Sequence, residues 1–398
     1  MTAAIAAARS GAAVTILEHT DRLGKKILST GNGRCNLTNL KMDETCFRSS
    51  DPALPMQVIK RFSEKETLEF FHQLGIMTKS KNGYIYPNSE QASAVLDTLV
   101  MELENRQVRV VTDCEVRTVT KRNGEFQVQT SKGQFRTDTL ILATGSKAAP
   151  ATGSDGSGYA LAQSFGHRLI KPLPALVQLR CNGKYFKQLA GVRVEARVTL
   201  ESEHKVLASD LGEVQLTDYG ISGIPTFQVS RYAAAALDEG KKVFAMLDFL
   251  PYMTDAEVAD MIRNRQTSLG YRPAEEFLTG VIHKKLAVVL YKIAEISLSA
   301  QTSVVSEKKI DKLCSLLKHF AVEVTATNSF EQAQICCGGI ATDEIDPETM
   351  ESRREPGLYL VGELLDVDGI CGGYNLQWAW STGMIAGTHA AAFSGKNG

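Results

Sequence analysis

The sequence lacks a dominant charge. It holds 44 Lys and Arg against 45 Asp and Glu, a formal net charge of −1, and its pI is about 6.7. Such a balance gives no basic footprint for a phosphate backbone, so no nucleic-acid partner is expected. The pairs Lys25-Lys26 and Lys241-Lys242 read as solvated faces. Long apolar runs are missing too, and none reaches the roughly 20 residues of a membrane-spanning helix. The Ala-rich start, residues 1–17, has no basic leader and is interrupted by Arg9, so it does not read as a signal peptide. The 8 cysteines include no Cys-x-x-Cys pair and no zinc spacing. Reduced thiols in a cytoplasmic protein are the expectation, with adjacent Cys336 and Cys337 buried and structural. Also absent is a Gly-x-Gly-x-x-Gly turn, both at the start and in residues 146–330.

What is present suits a folded interior: 398 residues, 43% hydrophobic and 22% charged, enough for two or three subdomains. Residues 1–10 read as a small-residue helix closed by Gly11, and 13–18 as a buried strand ending in Glu18. Helix, glycine turn and acid-tipped strand form the second half of a dinucleotide-binding βαβ unit. Its first strand and glycine turn are missing, and loss of a central strand would strand backbone groups without partners. The expectation is therefore a natural start upstream of Met1. Residues 57–74 and 91–105 read as helices, 108–119 and 126–131 as strands around Asn123-Gly124, and 139–143 as a buried strand. Residues 175–250 turn β-rich, and 255–317 turn helical behind a Thr254 N-cap. The expected fold is α/β: a Rossmann-like domain from both chain ends (1–174 and 337–398), with an inserted β-barrel-like subdomain (175–253 and 319–336) and a small helical one (254–318).

Four segments carry candidate chemistry. An acid such as Glu18 at a strand tip accepts hydrogen bonds from ribose hydroxyls. In Thr30-Gly31-Asn32-Gly33-Arg34-Cys35-Asn36, the glycines admit close backbone approach, and Arg34 and Asn36 add donors. The apolar strand 138–143 ends in Thr144-Gly145, where a nucleotide can lie against backbone. The fourth segment runs from the strand end Gly362-Glu363 through Asp366 and Asp368 to Gly372-Gly373-Tyr374-Asn375-Leu376-Gln377. There, N–H groups at a helix start can hold a phosphate or a flavin carbonyl, and Glu363 or Asp366 can bind ribityl hydroxyls. Cys35 reads as structural. Tyr84, Tyr219, Tyr374 and His283 are candidate proton donors, none singled out as the catalytic acid.

Together, Gly31 to Asn36, the Ala143-Thr144-Gly145 strand end and 361–383 resemble the bacterial FAD-dependent oxidoreductases of the 3-dehydro-bile acid Δ4,6-reductase and aminoacetone oxidase type. The resemblance runs over nearly the whole chain. It implies FAD contacts at Glu18, Gly31, Asn32, Gly33, Arg34, Cys35, Asn36, Thr144, Gly145, Gly362, Glu363, Asp366, Gly373, Tyr374, Asn375 and Leu376, with the Val116 backbone near adenine. It implies NAD(P)H as a transient reductant, since no second nucleotide domain is present. The implied reaction is reduction of a conjugated C=C bond in a large apolar 3-oxo bile acid or steroid, with hydride delivered to the β-carbon and a proton to the α-carbon. An amino-ketone oxidase and a flavin protein that modifies or senses RNA are the alternatives.

Overall fold

The computed structural model describes residues 1–393. The chain divides into two compact units, Met1–Leu173 with Gln334–Gly398, and Pro174–Ala333. The first unit is thus built from both chain ends.

Its first helix, Thr2–Arg9, buries Ala3, Ala4, Ile5, Ala6 and Ala7. The alanines let its backbone lie directly on the long helix Tyr374–Ala392. A Cβ added at Gly383 would sit 2.4 Å from Thr2 Oγ1, and one at Gly387 2.1 Å from the Ala3 carbonyl oxygen. Gly11 follows at φ 91°, and the chain enters the strand Thr15–Leu17, which pairs in parallel with Arg109–Val111. A second parallel ladder joins Leu140–Leu142 to Leu358–Leu360. The two ladders belong to separate sheets among the described residues. A three-stranded antiparallel sheet, Val116–Arg122, Glu125–Thr130 and Gly133–Thr137, contains the hairpin turn at Asn123-Gly124. Both turn residues have positive φ, at 52° and 82°, as a two-residue turn matched to strand twist requires. The helical pattern over 57–74 resolves into two helices, Leu54–Ile59 and Glu64–Gln73, the second restarted by a Ser63–Glu66 capping box.

The second unit is a closed barrel. Its strands run Leu179–Cys181, Gly220–Ser222, Lys205–Leu216, Arg193–Ser202, Val243–Asp248 and Phe320–Thr327 in spatial order. The helices Asp255–Leu269, Lys284–Ile293 and Glu307–Lys318 lie between the strands Val243–Asp248 and Phe320–Thr327 in the chain, the first opened by a Thr254–Glu257 capping box. Their apolar faces (Val258, Ile262, Leu286, Leu290, Leu317) join one core with Val198, Leu200, Val243 and Leu247 of the strands. A single interior therefore holds barrel and helices together.

A buried ionic cluster braces the first unit. The His167 side chain is fully enclosed. Its Nδ1 lies 3.0 Å from Glu344 Oε2 and its Nε2 2.8 Å from Ser352 Oγ. Glu344 also accepts from the Arg168 amide at 2.9 Å and from the Arg354 guanidinium. Burial alone would raise the Glu344 pKa, but the Arg354, Arg168 and His167 hydrogen bonds outweigh it and hold the carboxyl at about 2. Burial lowers the His167 pKa, against the pull of Glu344. Both shifts act in the same direction. The unfolded chain binds a proton at His167 below about pH 6.5 and at Glu344 below about pH 4.5, while the native state refuses both. Stability is thus complete above pH 6.5 and declines as pH falls toward 4. Thermal melts at stepped pH should show this decline, and His167→Gln should flatten its upper part. A melt temperature independent of pH between 7 and 5 would remove the cluster from the account.

No helix among the described residues is long and apolar enough to cross a membrane. No disulfide joins cysteines among the described residues, and Cys336 and Cys337 are buried.

Candidate functional site

The site begins at the carboxyl edge of the ladder 140–142/358–360. The Val361 amide donates to the Leu142 carbonyl at 3.2 Å, so Thr144-Gly145 and Gly362-Glu363 leave the sheet side by side. Thr144 turns a buried, unpartnered Oγ1 inward. It lies against Gly158, where a Cβ would be 1.8 Å from that oxygen. Glu363 Oε2 accepts from Ser146 Oγ at 3.1 Å and lies 3.8 Å from Lys26 Nζ. Lys26 Nζ also donates to the carbonyls of Ala148 at 3.1 Å and Gln334 at 2.8 Å. The Lys25-Lys26 pair is therefore not simply a solvated face. Lys25 pairs with Asp21, whereas Lys26 reaches inward and ties three distant segments together. Its partners are 122 and 308 residues away, so no local pattern announces them.

The second element is the loop before Asn36. Gly31, Asn32, Gly33 and Cys35 have φ of 56°, 54°, 81° and 57°. Glycine tolerates this left-handed region. Asn32 and Cys35 adopt it at an energetic cost that the surrounding packing must offset, as is common at ligand-holding loops. Cys35 is wholly buried, and burial pushes its thiol to about 11, so it is no thiolate nucleophile. The Asn36 side chain is 8% exposed, and its Oδ1 has no partner.

The tertiary structure lays this loop on the start of the helix Tyr374–Ala392. Thr38 Oγ1 donates to Gln377 Oε1 at 2.6 Å, and Asn39 Nδ2 to the Gly372 carbonyl at 3.0 Å. Gly373 caps the helix at φ 94°. A Cβ there would lie 2.8 Å from the Thr38 carbonyl and 2.9 Å from Asn36 Oδ1. A 19-residue helix directs its free N–H groups and the positive end of its dipole at this point. The rest of the helix is pinned by its polar side chains. Trp378 Nε1 donates to the Gly362 carbonyl at 2.9 Å, the Gly362 amide to Thr382 Oγ1 at 3.0 Å, and Trp380 Nε1 to the Leu37 carbonyl at 2.9 Å.

Several of the residues expected at the cofactor also make contacts within the protein. The Asn375 amide closes both its ends on Gly369, accepting from its N–H at 2.7 Å and donating to its carbonyl at 2.9 Å. Asp366 is buried and accepts from the Ser50 amide at 2.9 Å. Tyr374 is buried edge-on to Phe47, and burial raises its hydroxyl pKa. Leu376 packs at the margin of the apolar core, and the Arg34 guanidinium lies over the Tyr86 ring. Of the candidate donors, Tyr84 borders Gly372. His283 caps the helix Lys284–Ile293 by accepting from the Lys285 amide at 3.1 Å, a structural task in the second unit.

Glu18 directly follows the strand Thr15–Leu17 of the other ladder, and Val116 belongs to the three-stranded antiparallel sheet. Glu18 Oε1 accepts from the Thr20 amide at 2.8 Å, and the Cys114 amide donates to the Glu18 carbonyl at 2.9 Å. Val116 opens its strand opposite Thr130. The loop 146–156, which sequence reasoning passed over, adjoins Glu18: a Cβ at Gly153 would be 3.7 Å from Glu18 Oε1. Ala149, Gly153 and Gly156 there all have positive φ, at 55°, 96° and 83°. The signal was the glycine spacing at 153, 156 and 158. Tyr159, on the following helix, adds a further buried hydroxyl without a partner.

The HI0933-like protein Rossmann domain matches residues 1–389. The chain belongs to the HI0933-like family. Within reach of this family, a 3-dehydro-bile acid delta(4,6)-reductase of Clostridium scindens is 48% identical over 391 residues, covering 98% of this chain and 96% of that protein. A ribosomal RNA dihydrouridine synthase of Escherichia coli is 28% identical over 380 residues, covering 94% and 91%. A solved quinol-fumarate reductase, 14% identical, overlaps 100% of this chain and 70% of its own at a TM-score of 0.49, too distant a likeness to bear on function. This HI0933-like chain is thus a mixed α/β protein with a Rossmann unit and a small closed barrel.

Proposed function

We propose that this HI0933-like chain is a cytoplasmic FAD-dependent reductase that saturates a conjugated C=C bond in a 3-oxo bile acid, with NAD(P)H as transient electron source. The observation that carries the reading is the convergence of the left-handed loop 31–36, with its orphaned Asn36 Oδ1, on the glycine-capped start of the helix Tyr374–Ala392. A dinucleotide suits these residues. Unpartnered Asn36 Oδ1 and Thr144 Oγ1 lack the hydrogen bonds that buried polar atoms normally have, and glycine at 373 lets the helix start close directly on Thr38 and Asn36. FAD would be held by Glu18 and Val116 at its adenosine end, by Thr144, Gly145, Gly362 and Glu363 along its middle, and by residues 31–36 and 373–376 at the flavin. When bound it supplies hydride transfer.

The chain's own residues then position and polarise. Lys26 and Ser146 orient the Glu363 carboxylate, fixing it as a hydrogen-bond acceptor for hydroxyls. The helix start of Tyr374 to Leu376 aims N–H groups where negative charge accumulates. Burial keeps the Tyr374 hydroxyl protonated and able to donate a hydrogen bond. The Cys35 thiol stays neutral, so no thiol-disulfide relay takes part.

A bile-acid reductase and a dihydrouridine synthase share one chemical act, saturation of a C=C bond conjugated to a carbonyl. The higher identity to the bile-acid enzyme favours the steroid substrate. The test is anaerobic: the purified protein with FAD is treated with NADH or NADPH, then with a 3-oxo-Δ4 or Δ4,6 bile acid. The reading expects bleaching by the nicotinamide and recovery of the oxidised spectrum only on adding the enone. Recovery with air after reduction by an amino-ketone, and none with the enone, would transfer the protein to the oxidases. Recovery with uridine-containing ribosomal RNA alone would make RNA the substrate.

A further inference from the structure

We propose that the Tyr159 hydroxyl is a cofactor-binding group that donates a hydrogen bond to the ribityl chain of the flavin. The assignment rests on the FAD reading above and adds to it a residue outside the glycine-marked segments. Tyr159 lies in the first turn of the helix Ser157–Gln163 and is 5% exposed. Its ring shares the apolar core of the first unit with Ile340, Leu364 and Leu365. Phenylalanine would fill that place without the desolvation cost of a buried hydroxyl. The hydroxyl is nevertheless there, and it has no hydrogen-bond partner among the described residues, whereas buried polar groups are normally paired.

Its neighbours place the hydroxyl at the candidate site. Gly158, the residue before it, lies directly on Thr144, where a Cβ would be 1.8 Å from the second orphaned oxygen, Thr144 Oγ1. The loop between them is folded back on itself, with Ser154 Oγ donating to the Ser146 carbonyl at 2.9 Å. Ser146 Oγ in turn donates to Glu363 Oε2 at 3.1 Å. Burial, and after it the nearby Cys336, Glu363 and Asp366, raise the Tyr159 pKa, so the hydroxyl keeps its proton and is able to donate it in a hydrogen bond. The same surroundings select the ligand. Two acidic side chains beside the hydroxyl, with Lys26 set against Glu363 at 3.8 Å, favour a neutral polyol over a phosphate. A polyol hydroxyl can accept from Tyr159 while it donates to Glu363. In FAD the neutral polyol is the ribityl chain.

Tyr159→Phe deletes one oxygen and leaves the packing of the ring intact. Titration of the flavin-free full chain with FAD, followed by flavin fluorescence, should show affinity about three- to tenfold weaker than wild type, the worth of one hydrogen bond. The melting temperature of the flavin-free variant should not fall, because no hydrogen bond within the protein is lost. Tyr291→Phe is the contrast. The Tyr291 hydroxyl accepts from the Leu278 amide at 3.0 Å, so this variant should melt roughly 2–4 °C lower and bind FAD as wild type does. ADP, which has the diphosphate but no ribityl chain, should raise the melting temperatures of wild type and Tyr159→Phe equally. Wild-type FAD affinity in Tyr159→Phe overturns the proposal and leaves the FAD reading standing. A lower melting temperature of flavin-free Tyr159→Phe makes the hydroxyl structural and also overturns it. A smaller effect of ADP on Tyr159→Phe moves the contact to the diphosphate and overturns the ribityl assignment. A wild-type chain that takes up no FAD removes both readings.

Discussion

Gly373→Ala is expected to fold normally and to purify almost free of flavin. The residue has φ 94°, a region that costs an ordinary residue roughly 1–2 kcal/mol. The new Cβ would also meet the Thr38 carbonyl carbon and oxygen at 2.8 Å and Asn36 Oδ1 at 2.9 Å. The first two are backbone atoms and have no rotamer to escape into. Relief must come from moving the loop and the helix start apart, which is the juxtaposition proposed to hold the flavin. With about 1.4 kcal/mol for each tenfold in affinity, FAD binding should weaken by roughly 10-fold to 100-fold. Gly33→Ala supplies the comparison. It carries the same backbone penalty at φ 81°, but nothing lies within 4 Å of its Cβ, so its loss should be several times smaller. Visible absorbance of the purified proteins, followed by titration with added FAD, reads the difference. A Gly373→Ala protein with full flavin content would place the cofactor elsewhere.

Gly387→Val should cause the largest loss of stability of any single change proposed. A Cβ at this position would stand 2.1 Å from the Ala3 carbonyl oxygen and 2.8 Å from Ala6 Cβ, so even alanine forces the two helices apart. Overpacking typically costs 1–3 kcal/mol and more where backbone must shift. In a unit of this size each kcal/mol moves the melting temperature by about 2–4 °C. A drop of roughly 5–10 °C, or failure to accumulate as soluble protein, is expected. Thr388→Val, on the exposed side of the same helix, should stay within about 0.5 kcal/mol of wild type. Similar melting temperatures for the two variants would mean that the first helix does not pack as described.

Much of this architecture could be read from local pattern. The small-residue first helix, the acid-tipped strand before Glu18, the Asn123-Gly124 turn and the Thr254 cap each rest on interactions within a few residues. The glycine turns were legible for the same reason: glycines at 31, 33, 372 and 373 all take positive φ where they stand. What those segments do with their side chains was less legible. Asn375 and Asp366 look like ligand contacts in sequence, yet their polar atoms bind Gly369 and Ser50, because a buried amide or carboxylate takes the nearest backbone partner.

The sequence by itself determined the Rossmann-type elements, the change to a β-rich insert near residue 175 and the family, since these depend on period, glycine placement and composition. Only the tertiary structure decided that Lys26 turns inward to Glu363, that Asn36 faces Gly373 and that His167 is enclosed with Glu344. Each of these joins residues far apart in the chain. Their energies come from burial and close contact, which depend on how the elements pack and leave no repeat in the sequence to be read.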